Sequence, residues 1–297
     1  MNSNVKTIKV NLFQPLIKTK KIFDRWPLKQ GLQVAIAKTL AKGNVRVNRR
    51  LLEEEDNYVR IEKKGYHIAH LDEHLTIQKS ASDRGILIRR FSTDSFVFTQ
   101  IFIHDEFEEF ISFIGDGRNI KTIIDAGANI GISSVKLQSY YPTAKLISIE
   151  PDPGNFKMLE KNIALNKLNA VAIQSAVWSS STRLYFDRTF RDGREWSVTV
   201  TEAPNEGEYL QSISLNEIVD KYRIDRIDIL KIDVEGSEKE IFKIDDDTIR
   251  FLDITKFIAV EVHEECVTTK EIEDILIKKG FELAKSGEYL IGRNKKL

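Results

Sequence analysis

The chain has 297 residues, of which 41% are hydrophobic and 30% charged, with 45 basic side chains balanced by 45 acidic ones. That composition excludes a fibrous or low-complexity chain and suits one large globular domain with an appendage. The single cysteine, Cys266, excludes an intramolecular disulfide and a thiolate-rich metal site, and it fits a reducing compartment, so a cytoplasmic location is expected. No apolar run reaches about 18 residues, so no membrane span is expected. The N-terminal lysines precede no apolar block, so no secretory signal is expected either.

The zero net charge hides an asymmetry. Residues 1–50 hold twelve Lys/Arg against Asp24 alone, a net +11, and the remainder carries −11. Such an arm suits an anionic partner (nucleic acid, lipid or acidic glycan), or folding against its own acidic domain.

In chain order, residues 1–25 show no clear period. From Trp26 to Ala41, Leu32, Ile36 and Leu40 share one face of a predicted helix that stops at Gly43. "YVRIEKKGYHIAH" alternates about Lys64-Gly65 and predicts a hairpin. "GILIRR" predicts a further strand, and the aromatic stretch after Phe96 turns helical with Phe107, Phe110, Ile111 and Ile114 on one side. The histidines in "HIAHLDEHL" lie in this strand-like region and are not expected to bind metal.

After residue 119 the pattern is regular. "TIID" leads to a helix, "KLISIE" to a helix opened by Asp152-Pro153, and "AVAIQSAV" to a polar insertion from about Ser179 to Gly207. A Ser214/Glu217 capping box, "IDILKID", "FIAVEV" and a Thr268/Glu271-capped helix follow. "FELAK" and "EYLIG" close the chain about Ser286-Gly287. Alternating strands and helices with near-continuous apolar strands predict an α/β, doubly wound, Rossmann-like sheet covered on both faces. The closing hairpin predicts one antiparallel strand at an edge.

In such sheets ligands sit beyond the carboxyl ends of the strands. A dinucleotide fingerprint needs a middle glycine for the approach of a pyrophosphate, and Ala128 and Asn129 in "TIIDAGANIGISSV" offer none. Asp125 would also set a carboxylate close to an anion. Both features suit a ligand with a cationic amino group, a ribose and no phosphate, which is the chemistry of S-adenosylmethionine (SAM). Asp125 is expected to face the ammonium, directly or through water, while the Gly127 backbone packs on the ligand. Glu150, 25 residues beyond Asp125, is placed to accept both ribose hydroxyls.

At this point the chain resembles the class I SAM-dependent methyltransferases, and more narrowly the FkbM family. The residues that carry the resemblance are "IIDAGANIGISS", "ISIEPDPGNFKMLEKNIALN", "ISLNEI", "LKIDVEGSEKEI" and "VEVH", with "RRFSTDSFVFTQIFIHDEFEEF" upstream. The resemblance implies a seven-stranded sheet with an antiparallel last strand. It also implies methyl transfer to a hydroxyl of a sugar, glycan or other small molecule. Residues 1–84 are then a basic N-terminal extension and 85–297 the methyltransferase domain. The expected cofactor residues are Asp125, Gly127, Asn129, Gly131, Glu150, Pro151, Ser175, Ala176 and Asp233.

Methyl transfer requires the acceptor oxygen to be held in line and relieved of its proton. Strand alternation places Lys231 with Asp233, and Glu261 with His263. Asp233 and His263 are the candidates for proton acceptor and its orienter, with Lys231 paired to a carboxylate. Glu235, Glu261, Arg191, Arg194 and Trp196 are the candidates for acceptor binding. Asp233, Glu235, Glu261 and His263 have oxygen-rich chemistry compatible with a divalent cation. Their spacing demands none, and no metal is expected. An RNA methyltransferase using the basic arm and a non-catalytic SAM-binding module stand as the alternatives; oligomeric state is left open.

Overall fold

A computed structural model of the protein describes residues 20–41, 49–80, 83–115, 117–188, 194, 199–204, 208–243 and 247–297. In the N-terminal extension, helices α1 (Leu28–Ala41) and α2 (Arg49–Lys63) precede β1 (His67–Leu71), β2 (His74–Gln78) and β3 (Ile86–Ile88), which form an antiparallel sheet. Helix α2 occupies much of the segment expected to be a hairpin. Its buried residues Leu51, Tyr58 and Ile61 follow the helical period, while the alternation over "YVRIEK" is a local coincidence. The hairpin lies further on, joining β1 to β2 with Leu71 paired to His74. Helix α1 forms but turns the other way: Leu32 and Ile36 are exposed, and Val34 and Ala37 are buried.

Three of the basic residues of the extension pair with acids of α2. Glu55, fully buried, accepts from Arg25 Nε at 3.1 Å and from Trp26 Nε1 at 2.8 Å. Lys21 pairs with Glu62, and Lys38 with Glu55 and Asp56. Trp26 packs against Tyr58 and Phe91 with ring centroids 5.7 Å and 5.2 Å apart.

The remaining strands are β4 (Thr122–Ala126), β5 (Lys145–Ile149), β6 (Ala170–Ile173), β7 (Ala176–Val177), β8 (Arg183–Asp187), β9 (Thr199–Thr201), β10 (Tyr209–Ile213), β11 (Ile227–Ile232), β12 (Thr255–Glu261), β13 (Phe281–Ser286) and β14 (Tyr289–Asn294). Seven of them form one sheet in the order β13-β14-β12-β11-β4-β5-β6. Strand β14 is antiparallel to both neighbours, and the sheet is otherwise parallel. The antiparallel strand therefore lies one place inside the edge, because the closing hairpin docks through its second strand. The polar insertion builds a smaller sheet in the order β7-β10-β8-β9. "AVAIQSAV" consequently divides, with β6 in the large sheet and β7 in the small one.

Strand alternation sends the large sheet's apolar residues to two cores. Ile123, Ile229, Phe257 and Ile291 join Trp26, Tyr58, Phe98 and Phe110 on one face. Ile124, Ile147, Leu230 and Ile258 join Leu215, Ile218, Ile272 and Leu276 on the other. Both expected capping boxes are present, and Asp152 caps the Pro153–Leu165 helix by accepting from Gly154 N and Asn155 N. Among the described residues, no helix is long and apolar enough to cross a membrane.

One polar row crosses the first face near the carboxyl ends. Lys231 on β11 stands opposite Asp125 on β4, and Asp125 opposite Ser148 on β5. The buried Lys231 Nζ lies 3.4 Å from Asp125 Oδ1 and 3.1 Å from Asp233 Oδ2, and donates to Gly127 O at 2.8 Å. Burial acts to lower the Lys231 pKa, but the two carboxylates outweigh it and keep the ammonium charged. Asp125 Oδ2 accepts from Ser133 Oγ at 2.7 Å and Ser134 Oγ at 2.6 Å. Replacing Lys231 by Met would leave the fully buried Asp125 carboxylate without its cation. The expected cost is about 3–5 kcal/mol in denaturant unfolding. A loss below about 1 kcal/mol would show that the ammonium does not hold the sheet together.

Candidate functional site

A cavity of about 410 Å³ opens beyond the carboxyl ends of β4, β5, β11 and β12. That volume lies within the range of small-molecule sites. One wall is the turn after β4. Gly127 has φ +77°, and a Cβ built there would lie 1.6 Å from the Asp233 carbonyl oxygen. Glycine is therefore demanded by the neighbouring strand as well as by the turn. Gly127 N and Ala128 N donate to Ile149 O at 3.0 Å and 2.9 Å, which fixes the turn against β5. Asn129 also has positive φ, +50°, a conformation asparagine tolerates better than most residues.

Glu150 ends β5 in the cavity wall. Its Oε2 accepts from Asn129 N at 2.9 Å, and its Oε1 from Asp152 N at 3.0 Å and Asn155 Nδ2 at 3.3 Å. Burial, followed by the neighbouring Asp152 charge, raises its pKa to about 7 in spite of these donors. The segment of β3 and the residue after it reaches this point: Arg89 Nη2 donates to Asn155 Oδ1 at 2.7 Å, and Asn162 clamps Leu87 through its N–H and C=O. Pro151, Ser175, Ala176 and Val177 continue the wall, with Ile132 and Ile149 as apolar surface.

The other end is rich in carboxylates. Asp233, Glu235, Glu261, Glu106 and Glu288 line it, with Lys231 as a lining cation and Tyr289 beside them. Burial first, then Asp233, raises Glu261 to about 9. Burial, then Glu288 and Asp233, raises Glu106 to about 7. Tyr289 OH donates to Asp233 Oδ2 at 3.5 Å. His263 lies behind this wall, 1% exposed. Its Nδ1 donates to Glu238 Oε1 at 2.7 Å, and its Nε2 lies 3.3 Å from Glu235 Oε2 and 3.9 Å from Glu261 Oε1. Burial acts to lower the His263 pKa, but Glu235 and Glu238 push it up to about 11.

The structure thus brings Gly127, Asn129, Glu150, Pro151, Ser175, Ala176, Lys231, Asp233, Glu235 and Glu261 to one cavity. It does not bring Asp125 there. That side chain is fully buried and turned to Ser133, Ser134 and Lys231, because the lysine opposite it on β11 takes the carboxylate. Gly131 is outside the wall; its left-handed φ of +87° and the close approach of Leu159 Cδ1 make it a packing glycine. His263 is no free base near neutrality, since its flanking carboxylates hold the proton. Arg194 stacks its guanidinium 5.7 Å from the Phe96 ring centroid and does not line the cavity. Arg191 and Trp196 lie outside the described residues. Sequence reasoning missed Glu106, Glu288 and Tyr289, which arrive from segments flanking the recognisable motifs, and Asn155 and Glu238, which read as ordinary helix residues.

Comparison with known proteins agrees with this geometry. The Methyltransferase FkbM domain matches residues 125–283. Methyltransferase sdnD of Sordaria araneosa is 30% identical over 198 residues, spanning 55% of this chain and 74% of that protein. Hexuronic acid methyltransferase AglP of Haloferax volcanii is 25% identical over 181 residues, spanning 57% of this chain and 69% of that protein. The solved FkbM methyltransferase of Methylobacillus flagellatus KT is 15% identical with a TM-score of 0.41; the match covers 59% of this chain and 43% of that one. With the domain match running from Asp125 in β4 to the last hairpin, over half of the chain, the chain belongs to the FkbM methyltransferase family.

Proposed function

We propose that the protein transfers a methyl group from SAM to a hydroxyl of a neutral sugar, glycan or other small molecule. The observation that carries this is the two-ended cavity. Among the described residues, one end has apolar walls, a single carboxylate at a strand end and no glycine-lined phosphate cradle; the other gathers carboxylates. Glu150 is placed for the ribose hydroxyls, with Ile149, Ile132 and Val177 for apolar contact and the Asn129–Ser133 side of the turn for the methionine portion. A phosphate would meet carboxylates here instead of free N–H groups, which argues against a dinucleotide. When bound, SAM supplies an electrophilic methyl carbon. The protein's part is to hold the acceptor oxygen close to it and to take the proton.

Asp233 is the proposed proton acceptor: it lines the cavity, and Lys231 Nζ lies 3.1 Å from its Oδ2. Glu235 and Glu261 are proposed to accept hydrogen bonds from the acceptor's hydroxyls. Arg191 and Trp196 of the insertion are kept as proposed acceptor contacts; Arg194, packed on Phe96, is not. AglP is named for a hexuronic acid substrate. The carboxylate-lined end here favours an uncharged acceptor, since like charges inside a cavity repel. Lys21, Lys38 and Arg25 of the arm pair with acids of α2, which favours intramolecular neutralisation over the RNA methyltransferase alternative. A cytoplasmic location fits the lone cysteine.

Two experiments test this. A panel of neutral and acidic sugars with radiolabelled SAM should give methylated product on a neutral acceptor. Asp233→Asn should lower its kcat by about 100-fold or more while SAM affinity changes less than tenfold. Unchanged kcat would remove Asp233 from the proton transfer, and no product with any hydroxyl acceptor would favour a non-catalytic SAM-binding module. Glu150 supplies the second test. With its pKa near 7 the carboxylate is ionised above that pH and neutral below it, so SAM affinity should fall about tenfold from pH 8 to 6. Glu150→Gln should bind weakly and without that pH dependence; the same pH profile in both proteins would show that Glu150 does not contact the cofactor.

A further inference from the structure

We propose that Asp233, Glu261 and His263 form a binding site for a first-row divalent cation at the acceptor end of the cavity. Asp233 and Glu261 each offer a carboxylate oxygen and His263 a ring nitrogen, and the three atoms lie within 4.8 Å of one another. A divalent ion of this row holds nitrogen and oxygen ligands about 2.1 Å away, so any two ligands stand at most about 4.2 Å apart. The His263 Nε2 to Glu261 Oε1 separation, 3.9 Å, already satisfies that limit. Drawing in the longest pair needs a side-chain movement of a little over half an ångström, well within the rotamer play of a half-buried glutamate.

An acidic cluster alone would not indicate a ligand; the histidine does. His263 is 1% exposed, and its Nδ1 is committed to Glu238 Oε1 at 2.7 Å. A carboxylate only accepts, so Nδ1 keeps its hydrogen, and Nε2 is the atom at which a cation would take the place of the proton that the flanking carboxylates hold in the ion-free protein. That nitrogen points into the cluster and is without a hydrogen-bond partner among the described residues: Glu235 Oε2, 3.3 Å away, is at ion-pair distance without hydrogen-bond alignment. A buried carboxylate behind a histidine whose far nitrogen faces further carboxylates is the arrangement that orients histidine ligands in metal sites. Glu238, itself fully buried, is then a positioning residue.

The charge around the site points the same way. Asp233, Glu235, Glu238 and Glu261 surround His263, and Lys231 is the nearby lysine. A dication would compensate the excess. One imidazole with two carboxylates suits Mn²⁺ or Fe²⁺ better than Mg²⁺, which favours all-oxygen sets. Because Asp233 and Glu261 also line the cavity, an ion there would hold the acceptor oxygen and make its proton easier to remove. That last role rests on the methyltransfer assignment; the binding site itself does not.

The test is titration of chelator-stripped full-length protein with Mn²⁺, following the free-ion signal by electron paramagnetic resonance. One Mn²⁺ per chain is expected, weakened tenfold or more by His263→Ala and by Glu261→Gln, with a smaller loss in Glu238→Gln. Asp274→Asn, at an exposed position of the Thr269–Lys279 helix that does not line the cavity, should bind as the wild type does. Circular dichroism and SAM titration on the same samples separate ligand loss from unfolding. Absence of stoichiometric Mn²⁺ binding to folded wild type, or binding that all the site variants retain, would overturn the proposal. Mn²⁺ binding without SAM binding would uphold the ion site and defeat the methyltransferase reading; SAM binding without Mn²⁺ would do the reverse.

Discussion

The site depends on one buried ammonium. Lys231 occupies a position in a central parallel strand where an apolar residue would ordinarily stand, and it is held there by Asp125, Asp233 and the Gly127 carbonyl. An unpaired charge in that place would be untenable. Its three partners come from the end of β4, the end of β11 and the turn between β4 and the next helix. The lysine therefore ties the two strand ends that frame the cavity. The same closeness leaves no room for a side chain at Gly127, where a Cβ would collide with the Asp233 carbonyl. The glycine of the loop and the lysine of the strand are two aspects of one packing constraint.

From this tie follows the division of the cavity. Asp125 is consumed by Lys231 and two serines, so it is not available to a ligand. Glu150 remains at the end proposed for the cofactor, held by the Asn129 N–H of the loop it faces, by the Asp152 N–H and by Asn155, which Arg89 in turn fixes. At the far end, carboxylates outnumber cations among the described residues, and burial raises Glu106 and Glu261 above their ordinary range. A wall of that character receives protons or cations readily and repels anions. It is the environment needed where a hydroxyl must lose its proton as its oxygen takes a methyl group.

Much of this was legible in the sequence, for identifiable reasons. Strands buried on both faces are written as unbroken apolar runs, so "TIID", "KLISIE", "IDILKID" and "FIAVEV" announce themselves and bring Glu150, Asp233 and Glu261 to one edge. Helix α2 was obscured because "YVRIEK" alternates locally while its helical partners lie upstream among four consecutive acids. The outward face of α1 was misjudged because Leu32 and Ile36 match a helical stripe that the fold leaves exposed. The direction of Asp125 could not be read, since it is decided by the register of β4 against β11, more than a hundred residues away. Glu106 and Tyr289 were hidden for the same reason: each is brought to the cavity by contacts between distant segments.

The most direct test of the account is calorimetric titration of the purified protein with SAM and, separately, with NAD. With Glu150 as the proposed ribose partner and no phosphate cradle among the described residues, the account predicts micromolar SAM binding, about −8 kcal/mol, and no detectable heat with NAD. Binding of NAD in preference to SAM would mean that the loop after β4 accepts a pyrophosphate, and the assignment of the cavity would be wrong.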